Sequence, residues 1–186
     1  MGMLEKMNRA LFLDRDGVIN EDYGYIYQPQ QVSFVEGIFE LCRYAHLLNY
    51  LILVVTNQSG IGRGYFLKED FLVLMDWMDK QFTEQGCPIT QVYFCPYHPT
   101  EGLGEYRRDS TWRKPAPGMI LAAAQDFNIH LADSVLVGDS TRDILAGQAA
   151  GVGSNLLYAP NHVQSDSSII PTAVLSHLSQ VQSYLR

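Results

Sequence analysis

Ala10-Leu11-Phe12-Leu13 runs without a break into Asp14-Arg15-Asp16-Gly17, and the reading of this junction decides the fold. Four consecutive apolar residues of this kind read as a strand buried on both faces, which belongs in a parallel sheet covered by helices. Side chains alternate along extended backbone, so Asp14 and Asp16 leave the strand's end on the same side. Two like charges held that close are expensive unless a cation lies between them. Magnesium suits the pair, because it takes hard oxygen ligands and keeps several waters. The plainer alternative is a strand that ends in an ordinary turn, since Asp and Gly are common turn formers.

Further along, Leu51-Ile52-Leu53-Val54-Val55 ends in Thr56-Asn57-Gln58-Ser59-Gly60, and Val135-Leu136-Val137 ends in Gly138-Asp139-Ser140-Thr141-Arg142-Asp143. Arg113-Lys114-Pro115 stands between them, ahead of a helical pattern. Ligands of open parallel sheets bind at the carboxyl ends of the strands, near the point where strand order reverses. The three strand-borne motifs sit at such ends, which argues for one shared site. Strands are expected at about 9–13, 51–55, 91–95, 134–137 and 155–158. Helices are expected over 38–48 (stripe Leu41, Tyr44, Ala45, Leu48), 68–85 (stripe Phe71, Leu72, Met75, Met78, Phe82), after Pro115 and over 141–150. A polar linker is expected over 165–171. An amphipathic helix is expected over 173–185, carried by Val174, Leu175, Leu178, Val181 and Leu185. The alternation of strand and helix makes the chain α/β, a single domain over 1–186 with its core at about 8–160 and a helical tail from about 171.

The 186 residues are 47% hydrophobic and 18% charged, an ordinary balance for a globular protein, and the net charge is −7. That charge argues against a nucleic-acid or anionic-membrane partner. It leaves room for phosphate esters where a metal and a few local cations reverse the field. Cys42, Cys87 and Cys95 form no disulfide framework, which suits a reducing cytosol. Residues 1–8 lack the apolar core of a signal peptide, and no apolar run is long enough to span a bilayer. The expected protein is a cytoplasmic monomer.

Taken in order, strand–DxD, strand–TN, lysine and strand–GDxxxD resemble the four-motif signature of the haloacid dehalogenase (HAD) superfamily of phosphohydrolases, over about residues 8–160. The resemblance implies a Rossmann-like, three-layer α/β/α fold. It implies Asp14 as nucleophile, forming an aspartyl-phosphate, and Asp16 as general acid and then base. Magnesium would be held by Asp14, Asp139 and the backbone carbonyl of Asp16. Thr56 and Asn57 would donate to phosphate oxygens, with Lys114 as the nearby cation. Asp143 is open between two readings, a ligand to a metal-bound water or a cap on its helix.

No large cap domain fits between the motifs, so the loops 17–34 and 96–112 take over its work. Asp14 to Asn20, Asp22-Tyr23-Gly24-Tyr25, Thr56 to Ile61, Cys95 to Pro99 and Arg113-Lys114-Pro115 are similar to the branch that holds the heptose-bisphosphate and histidinol-phosphate phosphatases. A sugar-phosphate substrate would then contact Asp22, Tyr23, Gly24, Tyr25, Thr56, Asn57, Gln58, Ser59, Arg113 and Lys114. Many members of that branch hold a structural zinc on the loop before Arg-Lys-Pro. Here Tyr97, Ser110 and Trp112 stand at ligand positions and only Cys95 and His98 remain, too few for zinc. The expectation is a zinc-free loop packed by Tyr97, Tyr106 and Trp112. Ser140 also stands where the branch usually has lysine. Rival readings are a histidinol-phosphate or other monoester phosphatase, a non-catalytic phosphosugar-binding protein and a phosphoacceptor receiver domain.

Overall fold

The computed structural model describes residues 7–161 and 169–186. The linker expected over 165–171 lies outside these residues except for 169–171, which are in neither helix nor strand, and residues 1–6 lie outside them too. Six parallel strands form one sheet in the order β3-β2-β1-β4-β5-β6. They are β1 (Arg9–Leu13), β2 (Tyr50–Asn57), β3 (Gln91–Cys95), β4 (Val135–Gly138), β5 (Ser154–Tyr158) and β6 (Ala173–Leu175). The chain builds outward from β1 through β2 to β3, then returns to β4 on the other side of β1. Strand order therefore reverses between β1 and β4, whose register pairs Leu13 with Val137.

The apolar run of β1 is buried on both faces, as its composition requires. Leu11 and Leu13 join one core with Ile52, Val54, Val135 and Val137, while Ala10 and Phe12 join the other with Leu53, Val55 and Leu136. The first core is covered by α1 (Ile38–Leu47) and α3 (Lys68–Glu84), and the second by α4 (Gly118–Asp126) and α5 (Thr141–Ala150). A four-residue helix, α2 (Ser59–Gly62), follows β2 directly. The result is the three-layer α/β/α arrangement, with no inserted cap domain among the described residues.

Three expectations are corrected. Tyr44 is exposed on α1 and Cys42 is buried in its place, and on α3 Leu72 is exposed while Leu74 is buried. The tail expected as one amphipathic helix over 173–185 is instead β6 followed by a 3-10 turn at Leu178–Tyr184. β5 would otherwise expose a row of unpaired backbone groups, and β6 satisfies it in register, Leu157 against Val174. Leu178, Val181 and Leu185 are still buried, against α1. No helix among the described residues is long and apolar enough to cross a membrane.

Candidate active site

The carboxyl ends of β1, β2 and β4 open into a cavity of about 370 Å³. Its floor is Lys114, only 3% exposed, although it lies on a loop rather than a strand. The Lys114 ammonium is 2.9 Å from Asp14 Oδ1 and 2.6 Å from Asp143 Oδ1, and it donates to the Val55 carbonyl at 2.8 Å. The backbone of Lys114 is pinned by Asn57, whose amide accepts from Lys114 N–H at 3.0 Å and donates to Lys114 C=O at 3.1 Å. Asn57 thus spends both ends of its side chain on the lysine. It sets the lysine's position, and the second N–H of its amide remains available where Asn57 lines the cavity.

Asp14, Asp139 and Asp143 each bring a carboxylate oxygen within 4.8 Å of the others. Two glycines permit this. Gly17 has φ +85°, and a Cβ there would lie 2.0 Å from Asp139 Oδ2, so a side chain would displace that carboxylate. At Gly138 a Cβ would lie 2.1 Å from the Cβ of Asp143. Asp143 is the third residue of α5, and its Oδ2 accepts from Ser140 N–H at 3.0 Å and Ser140 Oγ at 2.6 Å. Of the two readings left open for Asp143, the helix cap is formed by one oxygen, while the other pairs with Lys114, a contact neither reading named.

Burial pushes the Asp14 carboxyl up to about 8; Lys114 opposes this, and Asp143 and Asp139 reinforce it. Asp139 is pushed up to about 7 by desolvation and by Asp143, again against Lys114. Asp139 is exposed at the cavity mouth, yet desolvation and two acidic neighbours, Asp143 and Asp22, keep the direction upward. Burial also acts upward on Asp143, but the Lys114 ammonium and the Ser140 hydrogen bonds outweigh it and hold that carboxyl below its usual range. Desolvation pulls Lys114 down, and Asp14 and Asp143 more than restore it, so it stays charged. Once all three carboxyls are ionised, one ammonium among them leaves a deficit of two positive charges. A hard divalent cation with oxygen ligands matches that deficit in both charge and donor type.

Asp16 also lines the cavity, but its carboxylate is fully engaged. Arg15 Nη2 donates to Oδ1 at 2.6 Å and to Oδ2 at 2.8 Å, Asn20 donates to Oδ1 at 3.1 Å, and Gln58 donates to Oδ2 at 3.0 Å. Gln58 also donates to Thr56 Oγ1 at 2.9 Å, which links the end of β2 to Asp16. Arg15, fully buried under this carboxylate, was given no role by the sequence. Asp22, Gly24, Tyr25, Ser59 and Arg113 line the cavity as expected, whereas Tyr23 lies outside it and is 68% exposed. The loops 17–34 and 96–112 therefore both reach the site, the second through His98. Sequence reasoning missed Arg63 and Arg142 on the cavity wall, which Ser140 also lines. Arg63 lies four residues past Ser59, at the C-cap of the same short helix, the one signal that pointed to it.

The residues at the zinc-loop positions are committed to other contacts. His98 Nδ1 accepts the backbone N–H of Glu101 at 3.0 Å, the Tyr97 and Tyr106 rings lie 6.0 Å apart, and Arg108 sits 3.9 Å over Tyr97. Trp112 packs on Tyr93 instead, at 5.9 Å. Burial pushes the Cys95 thiol up, away from the thiolate that zinc requires. These residues do not fit a zinc ion.

Comparison with known proteins places this geometry. The HAD-hydrolase-like family model matches residues 111–181. The D-glycero-alpha-D-manno-heptose-1,7-bisphosphate 7-phosphatase of Burkholderia mallei is 54% identical over 89% of this chain and 86% of its own length. The D-glycero-beta-D-manno-heptose-1,7-bisphosphate 7-phosphatase of Vibrio cholerae is 42% identical over 95% of both chains. The crystal structure of the D,D-heptose 1,7-bisphosphate phosphatase of B. bronchiseptica, complexed with magnesium and phosphate, superposes with a TM-score of 0.79 at 26% identity, over 94% of this chain and 96% of that one. Likeness of this extent, along nearly the whole of both partners, means that the chain belongs to the heptose-1,7-bisphosphate 7-phosphatase family of HAD-like hydrolases.

Proposed function

We propose that this protein is a magnesium-dependent phosphatase that hydrolyses the 7-phosphate of D-glycero-D-manno-heptose 1,7-bisphosphate through an aspartyl-phosphate. The observation that carries the mechanism is the cluster of Asp14, Asp139 and Asp143 around Lys114 at the switch point of the sheet. The names of the relatives at 42–54% identity support the substrate.

Asp14 and Asp139, with the backbone carbonyl of Asp16, are the residues that would hold magnesium. When bound, the ion supplies the positive charge that lets a phosphate dianion approach a carboxylate. Asp14 is the nucleophile. Its Oδ1 is fixed by Arg15 N–H at 2.8 Å and by Lys114, while Oδ2 accepts no hydrogen bond among the described residues and is left to attack phosphorus. Lys114 lies beside the attacked group, where it offsets charge on the transferring phosphoryl oxygens, and Thr56, which lines the same cavity, donates its hydroxyl to them. Asp16 gives its proton to the departing alkoxide and later takes one from water. To act as an acid it must first give up part of the Arg15, Asn20 and Gln58 contacts. Gln58 and Asn57 are positioning residues, the first for Asp16 and Thr56, the second for Lys114. Asp22, Gly24, Tyr25, Ser59 and Arg113 bind the sugar phosphate.

The chain acts as a single-domain cytoplasmic monomer with a zinc-free loop, supplying a monophosphorylated heptose for nucleotide-activated sugar and lipopolysaccharide synthesis. Phosphate release from the heptose bisphosphate, with histidinol phosphate alongside, tests the reading. Asp14→Asn is expected to abolish release while keeping the wild-type melting curve. Retained turnover in that variant, or preference for histidinol phosphate in the wild type, overturns it.

A further inference from the structure

A bisphosphate brings a second phosphate that takes no part in the chemistry, and the cavity holds cations the mechanism does not use. Arg142 is the second residue of α5, between Thr141 and the capping Asp143, and it lines the cavity. Asp143 turns inward to Lys114, so the helix start presents a carboxylate to the buried lysine and a guanidinium to the open space. No carboxylate lies within 4.0 Å of Arg142 among the described residues, whereas Arg63 on the same wall is paired with Glu101. Among the described residues Arg113 likewise pairs with no carboxylate, and its guanidinium donates to the Tyr97 carbonyl at 3.1 Å. Burial lowers both Arg113 and His98, and the charge of Arg142 adds to that lowering.

Two guanidinia that line one cavity without a carboxylate partner, Arg113 half-buried and Arg142 exposed at its mouth, repel each other until an anion joins them. Guanidinium forks match phosphate oxygens two at a time. The reacting phosphate already has Lys114 and a divalent ion, so the arginine pair is left for a different group. We infer that Arg142, together with Arg113, grips the non-reacting phosphate of the substrate, and that Arg142 is the residue by which this protein distinguishes a sugar bisphosphate from a monophosphate. This rests on the heptose-bisphosphate reading. The non-reacting phosphate of that substrate is on the anomeric carbon, and its direction from the ring differs between the α and β anomers. A residue that holds it therefore also reads the anomer.

The test is steady-state kinetics of the full-length wild type and of Arg142→Gln and Arg142→Lys on both anomers of the heptose 1,7-bisphosphate and on heptose 7-phosphate. Losing one charged hydrogen-bonded pair of this kind is worth roughly tenfold to a hundredfold in binding. Arg142→Gln is expected to raise KM for the preferred bisphosphate anomer by about that factor, with a much smaller change in kcat. It is also expected to narrow both the bisphosphate-to-monophosphate ratio and the anomer ratio of kcat/KM. Arg142→Lys is expected to recover part of each ratio. Wild-type ratios in Arg142→Gln would overturn the inference and leave the heptose-bisphosphate reading intact. A wild type that treats bisphosphate and monophosphate alike would overturn both.

Discussion

Replacing Lys114 with methionine keeps the length of the side chain and removes the cation held among three carboxylates. Lys114, Asp14 and Asp143 have side chains only 3%, 14% and 2% exposed, so water does little to take over the lost charge. Breaking one buried pair by removing a single partner costs about 3–5 kcal/mol. Here two partners are stranded at once, but they have an outlet in proton uptake. Asp143 is held below its usual range by Lys114, and without that ammonium, burial carries its carboxyl upward. The variant therefore binds a proton on Asp143 at a pH where the wild type does not. One such proton shifts relative stability by about 1.4 kcal/mol per pH unit. The loss is expected to be about 3–5 kcal/mol at pH 8 and to shrink by roughly 2.7 kcal/mol at pH 6.

The wild type carries its own signature in the same experiment. Asp14 titrates at about 8 in the fold against 3.8 when unfolded, and Asp139 at about 7. The folded state then holds more protons than the unfolded state between these limits, so the stability of the metal-free protein falls as pH rises from 4 toward 8. Magnesium, bound to the native state alone, is expected to flatten that slope. Urea unfolding in chelator and in magnesium at pH 6, 7 and 8 measures all of this. A Lys114→Met loss below about 1 kcal/mol at pH 8, or one that does not shrink on acidification, would refute the assignment of Lys114 as counter-ion to buried, ionised carboxylates.

Gly17→Ala is expected to cost about 1–2 kcal/mol from its left-handed backbone alone, and its Cβ must also push Asp139 aside. Magnesium titration of activity is the sharper readout: the half-saturating concentration is expected to rise severalfold, and an unchanged curve would detach Asp139 from the metal. Protein purified without added metal is expected to contain zinc well below one equivalent by mass spectrometry, and a zinc-selective chelator is expected to leave its melting midpoint in place. Stoichiometric zinc whose removal lowers that midpoint would show that the loop over 96–112 is built on a metal after all.

The parts of this protein that could be read from the chain are those whose cause is local. A run such as Leu51 to Val55 can be satisfied only by burial on two faces, so the strands and their parallel pairing followed directly. Paired aspartates at strand ends carry their own electrostatic argument, and the structure brought Asp14 and Asp139 together. The tail was misread because residues 178, 181 and 185 keep the same spacing whether they form one helix or a strand followed by a 3-10 turn. The choice was made by the open edge of β5, which is not local. The hold of Asn57 on Lys114 was out of reach for a similar reason, since the partner is backbone 57 residues away. An arginine at the end of a helix carries no partner in its sequence context, so Arg63 and Arg142 emerged only once the fold had gathered them.

The start of α5 links the two halves of the cavity's electrostatics. A cluster with three carboxylates and one ammonium calls for a divalent cation, and a cation-rich wall calls for an anion, so neither half is at its lowest free energy until both ligands are present. Asp143 and Arg142 are neighbours on the first turn of one helix, fixed together by the Ser140 cap. A shift of that turn moves the carboxylate away from Lys114 and the guanidinium away from the cavity in the same motion. The Ser140 cap should therefore tie substrate grip to lysine placement, and disturbing it should weaken both, where disturbing Arg142 weakens the first alone.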